Sequence, residues 1–382
     1  MKSGDVCARH YLSGESIIVR WREGQITSLT PVNDPPPRDL WVAPPLVDLQ
    51  INGYAGIDFQ QDSLTSAQLL QARHGLLATG CGSWFLTLIT DHWPRMMDRL
   101  RHLRALREQS PDLRAAIAGW HIEGPFLSAE AGFSGAHDPK AMCDPTAAHL
   151  HELRQITEQD PVLLTVAPER LEAISMIALA TSLGIRVSLG HTNAPFKRLA
   201  QAIKAGASAF THLANGCPRL LDRQDNILWR VFETKGLKVS LIPDAVHVSP
   251  ALFRLIHRNL GTDSILYTTD AMAAAGAPPG KYTLGSLQLE VGEDQIVRLP
   301  GSPLFAGSAL EPIAGVFRGA EMLESSWRPV WHRFSVLPAQ LMNLPAGLRV
   351  GSPATFCLLR VTPENWLEEM QIYLDGTPVE RR

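Results

Sequence analysis

No apolar run in this chain approaches the roughly 20 residues that a membrane-spanning helix needs. The N-terminus, MKSGDVCARHYLSGES, has no continuous apolar core of the kind a secretory signal carries. Positive charge is not in excess. The 35 Lys and Arg stand against 38 Asp and Glu, a formal net charge of -3, and apart from a cluster in Arg95–Arg107 the cations are scattered. Nothing in that distribution favours nucleic acid or an anionic membrane. Cysteine is scarce: Cys7, Cys81, Cys143, Cys217 and Cys357 are odd in number, far apart and never in C-x-x-C spacing. That excludes a disulfide framework and a Cys-rich zinc knuckle, and it points to a reducing cytoplasm. No G-x-G-x-x-G opens a helix, and no internal repeat or low-complexity tract is present.

What is there is the composition of a globular enzyme and a change of rhythm along the chain. Residues 1 to about 43 hold short β-like pieces, with SIIVRW and QITSL separated by REG as a hairpin. The proline-rich PVNDPPPRDLWVAPP ends that region and marks a domain boundary. From Val47 the pattern becomes strand, loop, helix. Eight near-continuous apolar runs follow: LVDLQI, SWFLTLI, AAIAGWHI, VLLTVA, IRVSLG, SAFTHL, LKVSLI and SILYTT. Such runs suit parallel strands covered on both faces. Helical spacing lies between them, as in Met96, Leu100, Leu103 and Leu106, and in Leu171, Ile174, Ile177 and Leu183. Eight units of this kind predict an α/β fold, a (β/α)₈ TIM-type barrel over 44–344. The tail returns to short strands with a DG turn. Residues 1–43 and 345–382 are therefore expected to pair into one small β-sandwich-like domain beside the barrel.

Four polar residues end four of the apolar runs: Glu123 in AGWHIEGP, His191 in VSLGHTN, His212 in SAFTHLANG and Asp270 in ILYTTDA. They belong to candidate strands three, five, six and eight, at the rim where barrel enzymes gather their catalytic groups. Two imidazoles and a carboxylate can hold one catalytic divalent ion with a position open for water. The ion would acidify that water and polarise a carbonyl, and Asp270 would serve as general base and acid. Strand one reads Asp48-Leu49-Gln50-Ile51-Asn52 where many metal-dependent barrel hydrolases carry H-x-H. Gln50 and Asn52 are weak zinc ligands, and strand four ends VAPER with no bridging Lys, so one tightly held ion is expected. His121 shares a face with Glu123 and is either a contact behind the ligands or a hydrogen-bonded interior residue.

These segments resemble the N-acetylglucosamine-6-phosphate deacetylase family of the amidohydrolase superfamily. PPLVDLQINGYAGIDF, GWHIEGPFLS with GAHDP, VSLGHTNA, FTHLANGCP, LIPDAVHV, YTTDAMAAAG and LFAGSALEP occur in the family's order from about Pro44 to Pro312. The resemblance implies a metal held by Glu123, His191 and His212, with zinc first and iron, cobalt or manganese also accepted by such ligands. It implies Asp270 as the general base and acid, and His137 polarising the acetamide carbonyl. Ala136, Asn215, Gly216, His247, Phe305, Ala306 and Gly307 would border the sugar. Arg223 falls where the family carries a phosphate-binding arginine, with Arg230 seven residues on as the alternative. A cytoplasmic homodimer acting on a small amino-sugar phosphate follows from the same resemblance. Two departures touch substrate loops: Asn215-Gly216-Cys217 where N-A-M is common, and Asp244-Ala245-Val246-His247 where D-G-x-H is common. The alternative reading is a deacetylase of a different N-acetylated sugar or related amide on the same scaffold.

Overall fold

The computed structural model describes residues 2–34, 36, 40–301 and 305–380. Eight parallel strands form its main sheet: β1 Leu46–Ile51, β2 Cys81–Ile89, β3 Ile117–Glu123, β4 Val162–Val166, β5 Arg186–Leu189, β6 Ala209–Phe210, β7 Lys238–Leu241 and β8 Ile265–Tyr267. Their spatial order equals their chain order. Past β8, Ala271 bridges in parallel to Ile51 at the end of β1, which brings the two edges together as a barrel. All eight runs expected from the sequence are therefore strands. Their apolar continuity reflects burial on both faces: every residue of β1, β4 and β8 is buried.

Helices cover the outside, as on Trp93–Gln109, where Met96, Leu100 and Leu103 are fully buried. In Ala173–Ser182 the buried residues are Ala173, Ile177 and Ala180. Leu171 precedes that helix and is exposed, so it is not part of the helical stripe. The helix Trp327–Leu341 plugs one end of the barrel. Its Val336 and Ala339 pack with Val47, Leu49, Phe85, Leu163 and Leu266, which are interior residues of four different strands. Trp331 on the same helix is fully buried, and its indole N–H donates to the Pro44 carbonyl at 2.8 Å. Trp331→Ala is expected to cost about 3–5 kcal/mol. The check is a lower denaturant midpoint at unchanged slope.

Both chain ends do join one sheet. Its order is Thr377–Pro378, Leu367–Leu374, Phe356–Val361, Leu40–Ala43, Gly4–His10, Ser16–Arg22 and Gln25–Pro31. The hairpin between Ser16–Arg22 and Gln25–Pro31 turns at Glu23-Gly24, both at positive φ, as the REG segment predicts. Asp375-Gly376 turns the second hairpin the same way. Within the proline-rich stretch, residues 35 and 37–39 lie outside the described residues. One element was not anticipated: a three-stranded antiparallel sheet, Gly280–Leu284, Leu287–Val291 and Val297–Arg298, inserted after β8. Its buried Leu284, Leu289 and Val291 pack on Met272 and Ala306 beside the barrel mouth. No helix of the described residues is long and apolar enough to cross a membrane.

Candidate active site

The C-terminal ends of β3, β5, β6 and β8 meet at one mouth of the barrel. Glu123 is the last residue of β3. His191, His212 and Asp270 follow their strands by two or three residues and take left-handed backbone conformations, with φ of 49°, 30° and 54°. Non-glycine residues rarely sit there, and the cost is of order 1–3 kcal/mol each. Neighbouring groups hold them in place. The loop behind His191 is pinned by Glu169, which accepts from the Thr192 hydroxyl and, at 2.9 Å, from the Asn193 N–H. The His212 N–H donates to Ser240 Oγ at 2.7 Å. The Asp270 carbonyl accepts from the Ser308 N–H at 2.8 Å, and Ser308 Oγ donates to the Thr269 carbonyl at 2.6 Å.

Glu123, His191 and His212 are buried, and a ligand atom from each lies within 4.8 Å of the others. Glu123 Oε1 stands 2.8 Å from His212 Nε2 and 3.5 Å from His191 Nε2. The His191 Nδ1–H donates to the Phe133 carbonyl at 2.9 Å, so its Nε2 presents a lone pair to Glu123. Two acceptor atoms facing each other this closely suit a cation between them. The separations are those of ligands each ~2 Å from one ion. The donor set therefore fits one divalent metal. Burial alone would raise the Glu123 carboxyl, but the adjacent His191 and His212 rings outweigh it and hold the group well below the ordinary carboxylate range.

Gly216 packs against this cluster at φ 61°. A Cβ added there would meet His191 Nδ1 at 2.8 Å. The glycine in Asn215-Gly216-Cys217 thus lets the loop close over the imidazole. The other departure, Ala245, adopts φ 63°, a conformation a glycine would take without strain. Asp244 compensates: its Oδ1 accepts from the N–H groups of Val246 and His247, and its Oδ2 lies 2.6 Å from His247 Nδ1.

Asp270 sits next to the cluster. Two amides reach its Oδ1, Asn52 Nδ2 at 2.7 Å and Gln50 Nε2 at 3.0 Å. The same Gln50 nitrogen donates to Glu123 Oε1 at 2.9 Å, so one side chain ties the candidate base to a candidate ligand. Burial, and next the charge of Glu123, raise the Asp270 carboxyl above its ordinary value. The pairing of β1 with β2 shifts register between Asp48 and Ile51, where Gln50 leaves the regular ladder. Asp48 beneath it accepts from Gln50 N, Thr269 N and the hydroxyls of Thr268 and Thr269, which fixes β1 against the strand end carrying Asp270. The sequence marks Gln50 and Asn52 only as weak ligands. Their role as amide donors to a carboxylate emerges from the fold.

The four residues open onto a cavity of about 570 Å³, within the range of small-molecule sites. His137 is on its wall. The Thr90 N–H donates to His137 Nδ1 at 3.3 Å, so the neutral ring carries its proton on Nε2, 3.8 Å from Glu123 Oε2. Burial, and then the neighbouring His191, push its pKa down to about 3, so the ring is a neutral donor near pH 7. Ala136, Asn215, Gly216, His247, Phe305, Ala306 and Gly307 all line the same cavity. Arg223 does not: it is exposed and off the wall. Arg230 is also off the wall and engaged with Asp225. His121 is fully buried in the barrel, 2.8 Å from Thr165 Oγ1, and is an interior residue outside the cavity. Residues that sequence reasoning missed on the wall include Arg219, Cys217 and Leu284.

No family model matches the chain. It is 30% identical over 338 residues to N-acetylglucosamine-6-phosphate deacetylase of Bos taurus, covering 83% of this chain and 79% of the relative. It is 28% identical to N-acetylgalactosamine-6-phosphate deacetylase of Escherichia coli O157:H7, covering 88% and 86%. A solved Mycobacterium smegmatis N-acetyl-D-glucosamine-6-phosphate deacetylase mutant, in complex with N-acetyl-D-glucosamine-6-phosphate, superposes with a TM-score of 0.87. The identity is 25% and the match covers 98% of this chain and 99% of the other. With a parallel barrel, a terminal sheet and a Glu-His-His cluster at the mouth already in place, the chain belongs to the N-acetylglucosamine-6-phosphate deacetylase family.

Proposed function

We propose that this protein removes acetate from N-acetylglucosamine 6-phosphate, giving glucosamine 6-phosphate. The observation that carries the reading is the meeting of Glu123, His191 and His212 in one buried cluster, with Asp270 tied to it through Gln50 on the wall of one cavity. The names of the relatives support the substrate class. Glu123, His191 and His212 hold one divalent ion, zinc before iron, cobalt or manganese. Bound there, such an ion supplies Lewis acidity, lowering the pKa of water and polarising a carbonyl.

The remaining steps fall to the chain's own side chains. Asp270 takes a proton from water as the water oxygen bonds to the acetamide carbon. The His137 Nε2–H donates to the carbonyl oxygen as it gains negative charge. Asp270 then returns its proton to the sugar nitrogen while the carbon–nitrogen bond breaks, and acetate and the free amine leave. Asn215, Gly216 and His247 orient the sugar, with Ala136, Phe305, Ala306 and Gly307 completing the pocket. A homodimer in the cytoplasm is part of the same reading, and light scattering checks the assembly. The direct test is acetate release from N-acetylglucosamine 6-phosphate by the metal-loaded protein. A protein that holds one ion per chain and releases no acetate would contradict the reading.

A further inference from the structure

One fully buried carboxylate near the barrel mouth has no part in the chemistry above. Asp48 lies on β1, and among the described residues it forms no ion pair. It lines no part of the cavity. Its partners are hydrogen-bond donors. Oδ1 accepts from the Gln50 N–H at 3.1 Å and from the Thr268 hydroxyl. Oδ2 accepts from the Thr269 N–H at 3.0 Å and from the Thr269 hydroxyl at 2.6 Å. Burial still pushes the carboxyl up to about 6 against these four donors. A buried ionisable group without a counter-charge costs stability, and apolar residues commonly fill such a place better. Sites that break this rule tend to be the ones where geometry serves function.

The two oxygens of Asp48 reach both sides of the seam that closes the barrel. Oδ1 holds β1 at Gln50, whose Nε2 lies 3.0 Å from Asp270 Oδ1 and 2.9 Å from Glu123 Oε1. Oδ2 holds the strand end after β8 at Thr269. The Thr269 hydroxyl that donates to Asp48 also accepts from the Ala271 N–H at 3.1 Å. Asp48 thus grips the residues before and after Asp270, whose own φ of 54° needs such support. The Ala271 carbonyl accepts from the Asn52 N–H at 2.7 Å, and Asn52 Nδ2 is the other donor to Asp270 Oδ1. Both amides on the Asp270 carboxylate, and the backbone on either side of it, are tied to this one side chain.

We propose that Asp48 is a positioning residue for the proton transfers, setting the Asp270 carboxylate and the Gln50 amide against each other across the barrel seam. The assignment rests on the deacetylase reading for Asp270 as the proton carrier. It requires a carboxylate, because each oxygen accepts one backbone N–H. An amide has a single oxygen, and turned either way its NH₂ group would face the N–H of Gln50 or of Thr269.

The test compares metal-loaded wild type with Asp48→Asn, Thr269→Val and Trp331→Ala. Thr269→Val keeps the side-chain volume and the backbone bond to Asp48 but loses the hydroxyl between Asp48 and Ala271. Trp331→Ala weakens the fold at the plugged end of the barrel and is the control for stability. Asp48→Asn is expected to lower kcat by about 10²-fold, the scale of a small misplacement of a reacting group. Thr269→Val is expected to lower it by about ten-fold on the same grounds. In both, KM and bound metal should stay within about two-fold of wild type, since ground-state binding is untouched. Trp331→Ala should keep kcat within about three-fold at a temperature where it remains folded. Crystal structures give a second readout: the Asp270 carboxylate of Asp48→Asn moves out of hydrogen-bonding distance of Gln50 Nε2, while Glu123, His191 and His212 still share the metal. If wild type releases no acetate and Asp48→Asn shows that displacement around an intact metal site, the deacetylase reading falls and the positioning of Asp270 by Asp48 stands. The assignment is overturned if Asp48→Asn keeps kcat within about three-fold, if its loss falls on KM or metal content, if Asp270 stays in place, or if Trp331→Ala loses as much. Should Asp48→Asn fail to fold, Thr269→Val with wild-type kcat and an unmoved Asp270 overturns it equally.

Discussion

Asp270→Asn should lower kcat for acetate release by about 10³-fold, within the range general acid–base catalysis supplies, while metal content and fold stay at wild-type levels. The amide fills the same volume and can still accept from Asn52 and Gln50 at Oδ1, so the local hydrogen bonds survive. What it loses is the ability to take a proton. Burial and the neighbouring charge of Glu123 raise the carboxyl, so Asp270 holds a proton more readily than an exposed aspartate. A base of that kind can also give the proton back, which an amine leaving group requires. Steady-state kinetics and a metal assay on the same preparation provide the check. Turnover within ten-fold of wild type would remove Asp270 from the proton transfers.

The second large effect concerns the ligands. Glu123→Gln should cut bound metal below about a tenth of an ion per chain and abolish turnover. Glu123 is the only anion among the three candidate ligands, and neutral oxygen donors are weak partners for zinc beside imidazole. A readout independent of activity is available. A ligand present at 1,000 times its Kd stabilises a fold by about 4 kcal/mol. Chelation should therefore lower the wild-type melting temperature and leave that of Glu123→Gln almost unchanged. Equal shifts in the two proteins would mean that the stabilising ion binds elsewhere.

Much of this arrangement is legible in the sequence because a barrel strand buried on both faces leaves little room for polar residues. A Glu, His or Asp at the end of such a run then stands out, and runs three, five, six and eight each supply one. The terminal hairpins were legible for a similar reason, since Glu23-Gly24 and Asp375-Gly376 carry turn chemistry in two residues. The rest needed the fold. The inserted sheet Gly280–Arg298 has strands of only two to five residues, too short for a period to register. Gln50 and Asn52 read as failed ligands until β1 is seen to set their amides on the Asp270 carboxylate. Arg219 reads in the sequence as an ordinary loop residue, and only the course of the loop after β6 puts it on the cavity wall. Ala245 shows the converse: a motif departs from its usual glycine while the left-handed backbone there is kept.

The proposed chemistry requires three side chains, from β3 and the loops after β5 and β6, to share one cation with Asp270 beside it. Anomalous diffraction from crystals of the protein grown with zinc tests this most directly. One strong peak is expected, ~2.0–2.2 Å from a Glu123 carboxylate oxygen and from a ring nitrogen of each of His191 and His212. A peak coordinated by other residues, or none at these three in crystals whose chains carry a full equivalent of zinc, would contradict it.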